Sequence, residues 1–125
     1  MNPEKFSVKS RFRSFTHAFN GLILLLKSEH NARIHTLAAM TAIAAGIILE
    51  INLTEWCLII FVIGLVFVTE LINTSIENVA DVADPELNEK IKKAKDYSAA
   101  AVLISAIISV IAGGFIFIPR LLQLL

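Results

Sequence analysis

The chain has 125 residues, enough for a single domain, and with 56% hydrophobic but only 8% aromatic residues and a mean hydropathy of +0.72 it is more aliphatic than soluble proteins usually are. Eleven basic and eleven acidic residues cancel, so net charge gives no reason to expect nucleic acid as a partner. The single cysteine, Cys57, excludes an intrachain disulfide and a cysteine-rich zinc site; within its apolar run it reads as a small buried or lipid-facing hydrophobe.

Residues 6–27 place Val8, Phe12, Phe15, Phe19, Leu22 and Leu26 at helical spacing, with Lys9, Arg11, Arg13 and Lys27 among them. This pattern predicts an amphipathic basic helix, suited either to the headgroup layer of an anionic membrane or to a partner helix of the same protein. Asn20-Gly21 marks a candidate bend. No cleavable signal is expected, because the first apolar run follows a stretch rich in Lys, Arg and Phe and lacks a small-residue cleavage site.

A polar knot, residues 27–35, precedes the uncharged run 36–49. Counted from Ile34 that run is worth ~24 Å of helix, short for a bilayer core of about 30 Å. Residues 50–55 form a connector in which Thr54 is a candidate N-cap, and Trp56 suits an interfacial anchor. The uncharged stretch 56–69 is short as well, and the span is completed only by including Glu70, Asn73 and Glu77.

Polar side chains then recur at Glu70, Asn73, Thr74, Glu77 and Asp81, in steps of three and four that stack them on one helix face. Like charges at that spacing repel, so either a cation such as an oxygen-ligated divalent metal belongs there or the stripe is a solvated face at a membrane boundary. Asp84-Pro85-Glu86 reads as a helix start. The helix predicted from it continues through Lys90, Lys92, Lys93 and Lys95 into residues 97–118, the one full-length uncharged stretch. The expected helices are therefore 6–27 on the surface, then about 32–50, 54–80 and 85–118.

Three apolar segments fit a soluble bundle or three membrane crossings, and charge asymmetry favours the crossings. With the amphipathic N-terminus and the 81–96 segment on one side, ten basic residues lie there and only Arg120 lies opposite. That is the bias expected of a cytoplasmic N-terminus. The fold class is then an all-α membrane protein with one surface helix and three transmembrane helices. Its topology brings Glu29, Glu70, Glu77, Asp81, Lys95 and Asp96 to one interface.

The run Glu70-Leu-Ile-Asn73-Thr74-Ser-Ile-Glu77 with Asp81, followed by Ala94-Lys95-Asp96 and small residues up to Val102, resembles the signature of the prokaryotic membrane diacylglycerol kinase family. The resemblance covers nearly the whole chain. It implies a homotrimer with active sites shared between chains, transferring the γ-phosphoryl group of ATP to a lipid alcohol. It also implies Glu70 as catalytic base and Glu29 and Glu77 as ligands of Mg2+. Lys95, Asp96, Glu29, Glu77 and Asn73 would handle ATP, and Glu70, Asn73, Asn31 and His35 the lipid, with Thr74 and Asp81 supporting. Phosphoryl transfer relies mainly on positioning and charge neutralisation, which a lysine, a metal and one carboxylate can supply.

Glu29-x-Asn31-x-x-x-His35, the 50–56 connector and Ile118-Pro119-Arg120 resemble the undecaprenol kinase branch, where the diacylglycerol branch tends to carry an acid in place of His35. Undecaprenol is thus the expected acceptor and diacylglycerol the alternative, in the bacterial cytoplasmic membrane. A small metal or proton pathway protein and a non-catalytic scaffold are the competing classes. The first should carry carboxylates through the bilayer, and the uncharged runs hold none; the second leaves Lys95-Asp96 and the Glu70 stripe unexplained.

Overall fold

The computed structural model describes residues 7–83 and 88–125. Those residues form four helices and no strand: α1 Val8–Ser28, α2 His30–Ile48, α3 Leu53–Val82 and α4 Glu89–Leu122. At 1.5 Å per residue α3 and α4 are about 45 and 50 Å long, well over a hydrocarbon core of about 30 Å.

Both are apolar enough to cross a membrane, and only 22% and 17% of their most apolar stretches lie inside the protein. The remainder faces outward, whereas the core helix of a soluble bundle would be mostly covered. α2 does not join them on length and composition, because His30, Asn31, Arg33 and His35 occupy its first two turns.

α3 runs antiparallel to both α2 and α4. Along α3 and α4 the register is set by Val62 against Ser109, Thr69 against Ser105, Asn73 against Ser98 and Asp81 against Lys95. α2 returns along α3, with His35 at the level of Glu70 and Gly46 under Trp56.

α1 touches α2 and α3 but buries only Leu25. Phe12, Phe15 and Phe19 stay exposed, so the aromatic stripe does not pack against this chain. α1 runs unbroken through Asn20-Gly21. The break falls instead at Glu29, whose extended backbone separates α1 from α2. Arg33 holds it there by donating from Nε to the Leu26 carbonyl at 2.9 Å and from its guanidinium to that of Lys27, carbonyls that a helix end leaves unpaired.

The α2–α3 turn corrects a second expectation. The N-cap of α3 is Asn52, not Thr54: Asn52 Oδ1 accepts from the Glu55 N–H at 3.0 Å while Glu55 Oε2 accepts from the Asn52 N–H at 2.8 Å. This reciprocal capping starts the helix one residue before Thr54.

α2 closes with Glu50 in the left-handed region, φ 50°, and with Ile51 N–H bonded to the Gly46 carbonyl at 3.1 Å. The fold brings Trp56 onto Gly46, beside the cluster of Ile51, Ile59 and Ile116. Arg120 completes this end by donating to Glu55 and to the Leu49 carbonyl. Cys57 lies on an exposed face.

The helix start expected at 84–86 lies outside the described residues. α4 begins at Glu89, with Asn88 Oδ1 accepting from the Lys90 N–H at 2.9 Å, and it continues through Pro119 to Leu122.

Candidate active site

Glu70 is the most unusual residue of the fold. It stands midway along an apolar helix and is 2% exposed. Burying a carboxylate demands a compensating donor. His35 of α2 brings Nε2 to 3.1 Å from Glu70 Oε1, a hydrogen-bonding distance, although Oε1 has no formed hydrogen bond among the described residues. One turn further along α3 the Thr74 hydroxyl oxygen is likewise buried and without a partner. The polar stripe thus contains two buried oxygens left unsatisfied among the described residues.

Between α3 and α4 the polar groups are paired. The Ser98 hydroxyl lies 2.8 Å from Asn73 Oδ1 and 2.9 Å from the Lys95 carbonyl. Donation to Oδ1 leaves the amide N–H groups of Asn73 for a ligand. Ser98→Ala should lower thermal stability by about 1 kcal/mol, the usual net worth of such a bond. Unfolding midpoints in detergent check it.

Lys95 Nζ donates to Asp81 Oδ1 at 2.7 Å. Lys95 lies outside the uncharged stretch that starts at Tyr97. The hydrogen bond to Asp81 holds its ammonium above the ordinary lysine range against partial desolvation, with a smaller contribution from the field of Glu77.

The other expected residues are distributed unevenly. Glu29, half-buried, is the N-cap residue of α2 but makes no capping bond with its side chain. Six residues separate it from His35 and seven separate Glu70 from Glu77, so the antiparallel register puts Glu29 and Glu77 near one level. Asn31 is exposed. Asp96 does not join the Lys95 cluster; it pairs with Lys92 of its own helix at 3.8 Å and is largely exposed. Glu70 and Asp81 are eleven residues apart, roughly 16 Å along α3. The base candidate therefore lies deeper than the lysine by three turns.

Among the described residues no three Asp, Glu, His or Cys side chains surround one metal position.

Sequence reasoning missed the polar partners on α4. Ser98, Ser105 and Ser109 recur at intervals of seven and four, a helical stripe within an aliphatic run that could have been seen. Thr69 and Ser105 share a hydrogen bond of 2.8 Å beside the Glu70 level.

An apolar groove of about 240 Å³ starts at His35 and runs between α2, α3 and α4 past Ala38, Ala42, Val66 and Gly113 to Phe117.

The family model for prokaryotic diacylglycerol kinase matches residues 16–117, most of the chain. The chain belongs to the prokaryotic diacylglycerol kinase family. It is 38% identical over 110 residues to an undecaprenol kinase of Bacillus subtilis, covering 88% of this chain and 89% of that one. It is 35% identical over 113 residues to a diacylglycerol kinase of Synechocystis, covering 90% of this chain and 65% of the longer relative. A diacylglycerol kinase of Escherichia coli is 32% identical over 95 residues, 76% of this chain and 78% of that one. This member of the diacylglycerol kinase family is therefore an enzyme, a membrane-associated lipid kinase, and the kinase class implies ATP as its co-substrate. The pathway-protein and scaffold readings give way to it.

Proposed function

We propose that the protein transfers the γ-phosphoryl group of ATP to the hydroxyl of an undecaprenol-type lipid alcohol at the inner face of the bacterial cytoplasmic membrane. The observation that carries this is a buried, unsatisfied carboxylate, Glu70, next to His35, which lines an apolar groove. A chain lying along Ala38, Ala42 and Gly113 would bring its terminal hydroxyl to the His35 and Glu70 level.

Glu70 takes the hydroxyl proton as the new oxygen–phosphorus bond forms and the γ-phosphorus bond to the bridging oxygen breaks, releasing ADP. Lys95 leaves Asp81 for the phosphates, and Asn73 orients the reacting groups with support from Thr74. Glu29 and Glu77 would hold a magnesium ion, which neutralises phosphate charge when bound. Asn31 and His35 line the lipid approach, and Asp96 contributes from the rim.

Three crossings with a cytoplasmic N-terminus follow from the charge asymmetry, with 6–27 on the surface and 32–50, 54–80 and 85–118 holding the spans. A homotrimer with shared sites is supported by the open apolar groove beside Ile72, Val79 and Ile91. Diacylglycerol is the second acceptor to consider, since the Synechocystis and Escherichia coli relatives bear that name.

The test is purified protein in lipid with magnesium ATP and either undecaprenol or diacylglycerol. Faster transfer to undecaprenol is expected, and transfer to neither would overturn the proposal. Lys95→Met should raise KM for ATP by about tenfold to a hundredfold, the worth of a charged hydrogen bond, and leave KM for the lipid unchanged. An unaltered ATP dependence would remove Lys95 from the phosphates.

A further inference from the structure

We propose that His35 is the positioning residue of the base: its Nε2–H holds one oxygen of the Glu70 carboxylate and thereby aims the other at the lipid hydroxyl. The inference rests on the kinase reading of Glu70 and adds the device that orients it. Glu70 Oε1 is enclosed and, among the described residues, has no hydrogen-bond partner, and the hydroxyls of Thr69 and Ser105 beside it are engaged elsewhere. From α4, Ser105 is engaged with Thr69 and the Val102 carbonyl. Within α3, Thr69 also bonds the Leu65 and Val66 carbonyls, and Thr74 makes no bond to Glu70. α1 contributes only Leu25 to the buried interior.

The recorded neighbour of Oε1 is the imidazole of α2, whose Nε2 lies 3.1 Å away, within N–H···O distance. The ring can act as a fixed support because Ala32, fully buried one turn before, seats α2 in the bundle. A carboxylate fixed at one oxygen keeps the other in one direction, and a misplacement of about 1 Å can cost two orders of magnitude in rate.

The test compares His35→Phe, which keeps ring bulk without a donor, with His35→Gln, whose amide N–H can reach Glu70. At saturating ATP and lipid, His35→Phe should lower kcat about a hundredfold with KM for ATP unchanged. His35→Gln should recover kcat to within about tenfold of the unaltered enzyme. In a Glu70→Gln background the same substitution should cost nothing further, because a positioning residue has no effect once its base is gone. Where phenylalanine disturbs assembly, His35→Asn, too short to reach Glu70, takes its place in the comparison.

A kcat within about threefold of the unaltered enzyme for the donorless variants overturns the proposal. So does a loss of the same size in the Glu70→Gln background, which would mark a merely structural role. An unaltered enzyme that phosphorylates no lipid alcohol would instead bring down the kinase reading, and that outcome is distinct from an active enzyme indifferent to His35.

Discussion

Glu70→Gln should lower kcat for lipid phosphorylation about a thousandfold while leaving KM for ATP and the assembled protein unchanged. The amide has nearly the shape of the carboxylate but cannot accept a proton, and general bases contribute roughly a hundredfold to ten-thousandfold. The fold should tolerate the change well. Glu70 is 2% exposed with an unsatisfied oxygen, and exchanging a buried charge for a neutral amide relieves a desolvation cost. The thermal midpoint in detergent should therefore hold or rise as turnover disappears. An enzyme that lost activity together with its fold would point to a structural carboxylate, and one that kept its activity would remove Glu70 from the base role.

Gly46→Val should destabilise the protein by about 2 kcal/mol or more, for a reason at the opposite end of the bundle. A Cβ at Gly46 would lie 2.8 Å from Trp56 Cη2 and 3.0 Å from Ile51 Cδ1. Neither neighbour yields easily. Trp56 is wedged against the Ile51, Ile59 and Ile116 cluster, and Ile51 N–H is tied to the Gly46 carbonyl itself. The small gain in helix propensity on leaving glycine does not offset that overlap. Trp56 is the single tryptophan, so its emission reports the displacement directly while thermal unfolding in detergent reports the cost. An unchanged midpoint with unchanged emission would show that α2 and α3 do not approach as closely as described.

The two cases differ in how visible they were beforehand. Glu70 stands out in the linear chain because a carboxylate follows fourteen uncharged residues and begins a stripe of polar side chains in steps of three and four. Nothing local distinguishes Gly46 from Gly21 or Gly64, neither of which has a neighbour within 4 Å of an added Cβ. Close approach of two helices belongs to their crossing and not to either sequence. The same holds for the caps. Asn52 and Thr54 are both good capping residues, and the choice fell to Asn52 because Glu55 stands three residues later to bond back.

Hydrophobic periodicity and charge placement, both properties of the chain in one dimension, were enough to determine that the protein is helical, aliphatic on its outer faces and polar at one end. They also singled out Glu70, Asn73, Glu77, Asp81 and Lys95 as the residues that do not belong to a plain membrane span. Only the tertiary structure decided which of them meet. The antiparallel register pairs Lys95 with Asp81, seats Ser98 on Asn73 and delivers His35 to Glu70, whereas Asp96 is left with Lys92 of its own helix. The physical reason is that a helix sets which side chains share its own face, while contact between faces depends on how far each helix slides along its neighbour. That offset is set by packing at sites such as Gly46 and Arg120, dozens of residues away in the chain.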